Sequence, residues 1–172
     1  EIIPKIAALV SKEFGEKYLN TRHYQTKSKN AQEAHEAIRP TDPSKKTAGF
    51  AEDEKRLYTL IRIRTLASQM SDAEILRTKI TANTADRSLP HFTVSGSHML
   101  FDGWLALDTA ARGDDVEVPQ VKTGESLTLK NIESEEKETE PPKRYTEAGL
   151  VKELEKRGIG RPSAYASIVK TI

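Results

Sequence analysis

AEDEKRLYTLIRIRTLASQMSDAEILRTKITANTA, residues 51–85, changes its period near the middle, and that change decides the fold. Up to Met70 the apolar side chains recur at helical spacing. Leu57, Leu60, Ile61, Ile63, Leu66 and Met70 form the face expected inside, and Glu52, Asp53 and Glu54 sit at the positive end of the helix dipole. The expected helix runs from about Ala51 to Met70. From Ile75 to Ala85 β-branched and polar residues mix at the spacing of a strand. A helical layer therefore gives way to a β unit.

Toward the N-terminus, Ile3, Ile6, Ala7, Val10 and Phe14 recur at three- and four-residue spacing, an amphipathic helix that Gly15 stops. Tyr18 to Lys29 carries Arg22, His23, Tyr24, Lys27 and Lys29 and reads as an exposed basic loop. Asn30, with Glu33 three residues on, is a capping-box variant opening a short helix, which Pro40 ends because its ring excludes the α conformation for Arg39. Residues 41–49 read as a loop. Toward the C-terminus, His91 to Phe101 and Ser126 to Ile132 are further expected strands, and turn chemistry falls at residues 101–104, 112–115 and 122–125. Glu133 to Arg144 is a charge run ending in Pro141 and Pro142, a boundary. Thr146 then caps a helix bearing Leu150, Val151 and Leu154, Gly158 ends it, and Pro162 suits the first turn of another.

Composition limits the function classes. Of 172 residues, 36% are hydrophobic and 31% charged, and no apolar run approaches the roughly 18 residues of a bilayer span, so a membrane protein is not expected. The chain has no cysteine, which removes disulfides and thiolate metal sites and is compatible with a reducing cytoplasm. Glu1-Ile2-Ile3-Pro4 has no initiator Met and no leader signature, and reads as a cut within a longer chain. Charge is uneven: residues 1–70 carry 13 basic and 9 acidic side chains, residues 71–144 carry 9 and 14, and residues 145–172 carry 5 and 3. Basic flanks around an acidic middle suit polyanion contact, or simply a solvated surface.

Two stretches carry chemistry. In KNAQEAHEAIRPT, residues 29–41, a helix would bring Gln32, His35, Glu36 and Arg39 onto one polar face, with Ala31, Ala34 and Ile38 turned toward a core. His35 can donate to a phosphate oxygen, Arg39 can grip one bidentately, and Glu36 or Gln32 can orient them. A surface helix with an intrahelical ion pair is the alternative that spacing leaves open. In RGIGRPSAYAS, residues 157–167, two glycines permit close backbone approach and a helix N-terminus directs N–H groups outward, with Arg161 and Ser163 as side-chain donors. The alternative is a tight helix–turn–helix in which the glycines are C-caps, Ser163 is a helix cap and Tyr165 is core. Phe101-Asp102-Gly103-Trp104 reads as a turn whose aromatic packs the β unit, with stacking on a nucleic-acid base as the alternative. His91 and His98 have no ligand cluster around them, so no metal site is assigned, and no nucleotide-triphosphatase phosphate loop is present.

The strings KNAQEAHEAIRPT, FDGW and VKELEKRGIGRPSAYASIVKTI, in this order, closely resemble the bacterial DNA topoisomerase I family (type IA) over nearly the whole chain; reverse gyrase, which shares the family core, is a weaker match. The resemblance implies a toroidal enzyme that cuts one DNA strand through a 5′-phosphotyrosine, passes the other strand through the gap and reseals it, relaxing negative supercoils without ATP. It implies that His35 positions the scissile phosphate, and that Arg39, Gln32, Glu36, Arg161, Ser163 and, less directly, Tyr165 contact DNA. Ala164 stands where the family usually has threonine, a loss of one hydroxyl donor worth roughly 1 kcal/mol of net hydrogen bonding. Tyr18, Tyr24, Tyr58, Tyr145 and Tyr165 match no nucleophile motif, so an isolated piece of this extent is expected to be inactive. The implied Mg2+ belongs to acidic residues elsewhere in the parent enzyme, and this stretch is expected to hold no cofactor.

The same resemblance makes the fold an α+β multidomain fragment. Residues 1–74 would belong to the helical domain that bears the tyrosine in the parent, 75–144 to the β-rich arch domain, and 145–172 to the start of the helical DNA-groove domain. Expected partners are DNA, preferentially single-stranded, and the remaining domains of the parent, in the cytoplasm with the nucleoid and not at a membrane. A non-catalytic DNA-binding or structural module is the rival class. A protein-interaction domain using the acidic middle is a third, and would show no salt-dependent affinity for single strands.

Overall fold

The computed structural model describes residues 2–24, 37–86 and 88–172, which fall into two compact units: one takes in residues 2–24 and the described part of 37–128, the other residues 129–172. The first unit opens with α1, Ile2–Phe14, ended by Gly15 at φ 96°, a conformation that glycine adopts without penalty. Helix α2, Glu52–Ala67, follows, and the chain then tightens through a turn to Met70. Ile6 and Val10 of α1 meet Leu66 and Met70 in a buried cluster, with Phe14, Tyr18, Leu19, Trp104 and Leu107 packed around it.

The inward face of α2 differs from the expected one. Leu57 and Leu60 are 59% and 56% exposed, whereas Arg62 is only 6% exposed. The apolar cluster reaches α2 only at its C-terminal end, at Leu66 and Met70. The N-terminal half covers a polar loop at residues 42–45 instead, so its stripe has no apolar layer to enter. The start of α2 carries half of a capping box. The Glu54 carboxylate accepts from the N–H groups of Phe50 and Ala51 at 2.7 and 3.3 Å, but Ala51 has no side-chain acceptor to return the bond.

Of the expected basic loop, residues 18–22 are held against the end of α2, and Lys27 and Lys29 lie outside the described residues. Asn20 N–H donates to Gln69 O, Ser71 N–H to Tyr18 O and Arg22 N–H to the Gln69 side chain, so residues 18–22 run beside the end of α2. Arg22 also pairs with Asp72 at 2.9 Å. Two of its expected free donors are thereby occupied.

Strands β1, Glu74–Ala82, and β2, Phe92–Phe101, pair antiparallel with Thr78 opposite Gly96, and a bulge lies between Glu74 and Ile75. Both strands match their expected positions to within three residues. Val116 exchanges two 2.9 Å backbone bonds with Ser97, a one-residue extension at the outer edge of β2. Its carbonyl would lie 2.6 Å from a side chain at position 96, so only glycine lets residue 116 approach.

The third expected strand, Ser126 to Ile132, is not one. Leu127, Leu129 and Ile132 are 59–73% exposed, and no ladder partner for them exists among the described residues. An alternating pattern fits a pleated surface but makes a strand only where a neighbour supplies backbone hydrogen bonds. FDGW also departs from its expected role. Trp104 packs on the helical cluster rather than on the β unit, and Gly103, at φ 50°, sits where a Cβ would be 2.5 Å from Asp72 O.

In the second unit α3, Glu147–Lys156, is capped as expected, with Gly149 N–H donating to Thr146 Oγ1 at 3.1 Å. Pro162 opens α4, Pro162–Thr171. No helix among the described residues is long and apolar enough to cross a membrane.

Candidate nucleic-acid interface

Gln32, His35 and Glu36 lie outside the described residues. Of the KNAQEAHEAIRPT stretch, residues 37–41 are described, and no helix extends over Ile38 or Arg39, although Arg39 was expected to close one. Pro40 accounts for this, since its ring pushes the preceding residue out of the α region. Arg39 is half-buried and Pro40 is buried.

The chain beyond Arg39 is tightly fixed. Asp42 Oδ1 accepts from both the backbone N–H and the hydroxyl of Ser44, at 3.1 and 2.6 Å, closing an Asx-type turn around the buried Pro43. Those bonds, the Ser44 hydroxyl first, hold the Asp42 carboxyl below its ordinary value. Helix α2 grips the turn from the other side. Tyr58 Oη donates toward Asp42 O and Lys45 O at 3.1 and 2.8 Å, and Arg62 Nε donates to Pro43 O at 2.9 Å. Behind it, Arg62 Nη2 lies 3.7 Å from Glu13 Oε2 on α1 and has no hydrogen-bond partner among the described residues. Reading α2 by hydrophobic period assigned neither Tyr58 nor Arg62. The signal available in the sequence was a charged residue interrupting the expected apolar stripe.

Arg161, Ser163 and Tyr165 come together at the turn between α3 and α4. Gly158 N–H donates to Glu155 O at 3.0 Å and Ile159 N–H to Leu154 O at 2.9 Å, the paired bonds of a Schellman cap. Gly158 and Gly160 adopt φ 68° and 76°. A side chain at position 160 would press on Ile168 Cδ1 at 3.1 Å and on the Tyr165 ring at 3.4 Å, so half-buried Tyr165 supports the turn by packing. Ser163 is not the cap: Arg161 occupies that position, and no side chain caps α4. Exposed Arg161 and Ser163 thus flank a helix start whose N–H groups have no side-chain acceptor, the arrangement that receives an anion. Arg157, by contrast, is committed to Glu153 at 2.7 Å. That bond holds the Glu153 carboxyl below its ordinary value and raises the guanidinium further.

Arg39 belongs to the first unit, and Arg161, Ser163 and Tyr165 to the second. His98 Nδ1 faces Asp115 at 3.4 Å, and His91 is exposed. No group of three His, Asp or Glu side chains converges to hold a metal among the described residues.

The first unit joins α-helices to an antiparallel hairpin, and the second presents a Gly-rich helix start bearing Arg161. The family model described as DNA topoisomerase matches residues 1–172, and the chain belongs to that family, on the bacterial topoisomerase I side. It is 42% identical to DNA topoisomerase 1 of Vibrio cholerae over 100% of its own length and 20% of that protein's. It is 46% identical to DNA topoisomerase 1 of Streptomyces coelicolor over 96% of the chain and 19% of the relative. The solved structure of full-length topoisomerase I from Thermotoga maritima superposes with a TM-score of 0.80 at 34% identity, over 99% of this chain and 27% of that one. The chain thus spans about a fifth of the length of the curated relatives it matches.

Proposed function

We propose that these residues serve a type IA topoisomerase that relaxes negatively supercoiled DNA, without ATP, by single-strand cleavage through a 5′-phosphotyrosine, strand passage and religation. Their own contribution is to bind DNA phosphates and to form part of the arch. The observation that carries this reading is the α3–α4 turn, where exposed Arg161 and Ser163 stand at a helix start with no side-chain cap. A phosphate there accepts from the Arg161 guanidinium, the Ser163 hydroxyl and the backbone of the first helical turn. Arg39 supplies a second phosphate contact, His35 orients the scissile phosphate, and Gln32 and Glu36 hold His35 and Arg39. No tyrosine of the chain is assigned as nucleophile, so these residues by themselves position DNA and do not cleave it.

In this reading residues 1–74 belong to the helical domain that bears the nucleophile, 75–144 to the arch and 145–172 to the start of the single-strand groove. The other domains of the enzyme and single-stranded DNA at the nucleoid are the partners. A non-catalytic scaffold is the second reading, favoured by the exposed apolar side chains of Leu127, Leu129 and Ile132, which suit contact with other protein.

Binding of a fluorescent single-stranded oligonucleotide across a salt series separates the two. The phosphate-binding reading requires affinity that falls with salt and is weaker in His35→Ala/Arg161→Ala, whose log–log salt slope should be shallower by about 0.7 per lost contact. Equal affinity of the double variant and the unaltered chain would remove these residues from the interface and leave the scaffold.

A further inference from the structure

We infer that Tyr58 and Arg62 of α2 are positioning residues for DNA cleavage, holding Arg39 in place at the phosphate through the turn that follows it. The inference rests on the proposed phosphate-binding role of Arg39.

Three observations converge on it. First, the path from Arg39 to the anchored turn is short and stiff: Pro40 follows directly, Pro43 lies four residues on, both are buried, and each ring fixes its own φ. Second, two side chains of α2 donate to backbone carbonyls of this turn, Tyr58 Oη to Asp42 O and Lys45 O and Arg62 Nε to Pro43 O. Third, Arg62 is an unusual choice for its place. At 6% exposure a guanidinium is strongly desolvated, and the carboxylate paired with it among the described residues, Glu13, is at 3.7 Å, beyond hydrogen-bond reach. An apolar residue would pack the same space without a charge. What it would lack is the Nε–H directed at Pro43 O. The buried guanidinium therefore fixes where the turn sits relative to α1 and α2, and with it the backbone that leads back to Arg39.

Positioning of this kind acts on the rate of the chemical step more than on affinity, because misplacing one phosphate contact costs alignment while most of the DNA contacts persist. It also predicts non-additivity. Once Arg39 is gone, nothing is left for Tyr58 and Arg62 to position.

The test uses the full-length polypeptide that contains these residues, single-turnover formation of the covalent complex with a single-stranded oligonucleotide, and oligonucleotide affinity measured in parallel. Tyr58→Phe removes one hydroxyl, and Arg62→Lys keeps the charge toward Glu13 while losing the Nε donor. Each is expected to slow cleavage by about tenfold with affinity changed less than about twofold, and neither should slow it further in an Arg39→Ala background. Cleavage at the unaltered rate in both variants, while Arg39→Ala is impaired, would overturn the positioning role and leave the role of Arg39 standing. Losses that add to that of Arg39→Ala would also overturn it, since they would arise through some other route. If Arg39→Ala itself cleaves normally, the phosphate-binding role of Arg39 falls, and the positioning inference with it.

Discussion

Tyr18, just past the end of α1, donates its phenolic hydrogen to Asp102 Oδ1 at 2.8 Å, a bond that spans 84 residues of sequence and fastens the FDGW turn to the helical layer. The Asp102 carboxylate, accepting that hydrogen, raises the Tyr18 pKa above its ordinary value. The sign follows: the bond stabilises the fold fully below the ordinary tyrosine range and is lost as pH rises through the raised value. In an alkaline titration followed by tyrosinate absorbance, Asp102→Ala should move the ionisation of Tyr18 to lower pH, and a curve identical to that of the unaltered chain would show that the bond does not form in solution.

Leu66 near the end of α2 and Met70 in the turn after it are fully buried, whereas Leu57 and Leu60 of α2 are more than half exposed. Leu66→Ala is expected to cost roughly 2–5 kcal/mol in denaturant unfolding, and Leu57→Ala or Leu60→Ala no more than about 0.5 kcal/mol in the same experiment. Similar costs at Leu57 and Leu66 would mean that the apolar stripe of α2 is buried along its whole length.

Gly103 combines a positive φ with a backbone neighbour that cannot yield, since a Cβ there would be 2.5 Å from Asp72 O. Gly103→Ala should therefore destabilise the first unit by more than the roughly 1–2 kcal/mol of left-handed strain alone. Gly113→Ala, where nothing lies within 4 Å, is the control and should have a small effect on the thermal midpoint.

Glu54 caps the start of α2 through Phe50 N–H and Ala51 N–H, and the Phe50 bond is the larger cause of its lowered pKa. A depressed carboxyl stabilises the folded state above its ordinary, unfolded pKa near 4.5 and loses that contribution as pH falls through the lower folded value. The protection of the amides of residues 50–55, taken relative to their intrinsic exchange rates, should fall over that acid window. In Glu54→Ala the protection should already be lower at neutral pH and change less with acid; an unaltered profile would remove Glu54 as the cap.

Ala164 lies in the first turn of α4, beside Ser163 and Arg161. Ala164→Thr adds a hydroxyl at the proposed phosphate site and should tighten oligonucleotide binding by about fivefold, the equivalent of roughly 1 kcal/mol for one net hydrogen bond. Unchanged affinity would mean that the phosphate does not come within reach of position 164.

Local signals carried most of what sequence reading got right. Gly15 and Gly158 stop their helices because only a residue without Cβ takes a positive φ easily, Thr146 caps α3 through its own hydroxyl, and Pro162 opens α4. At the candidate site the same logic placed Arg161 and Ser163 at the turn, and of the two readings it left open for Ser163 the cap is excluded, because Arg161 holds that position. Tyr58 and Arg62 escaped notice because their partners, Asp42, Pro43 and Lys45, are 13 to 19 residues away and donate nothing to a helical period.

The sequence by itself determined the stops of α1 and α3, the starts of α3 and α4, the two paired strands and the family to which the chain belongs, since each rests on side chains acting on their own backbone or on an ordered string of residues. Only the tertiary structure decided which face of α2 is buried, where Trp104 packs, that residues 126–132 form no strand, and that a buried arginine holds the turn after Arg39. Those outcomes depend on what stands opposite. A strand needs a neighbour's carbonyls, a stripe needs an apolar layer, and a buried guanidinium needs acceptors such as the Pro43 carbonyl brought to it by the fold.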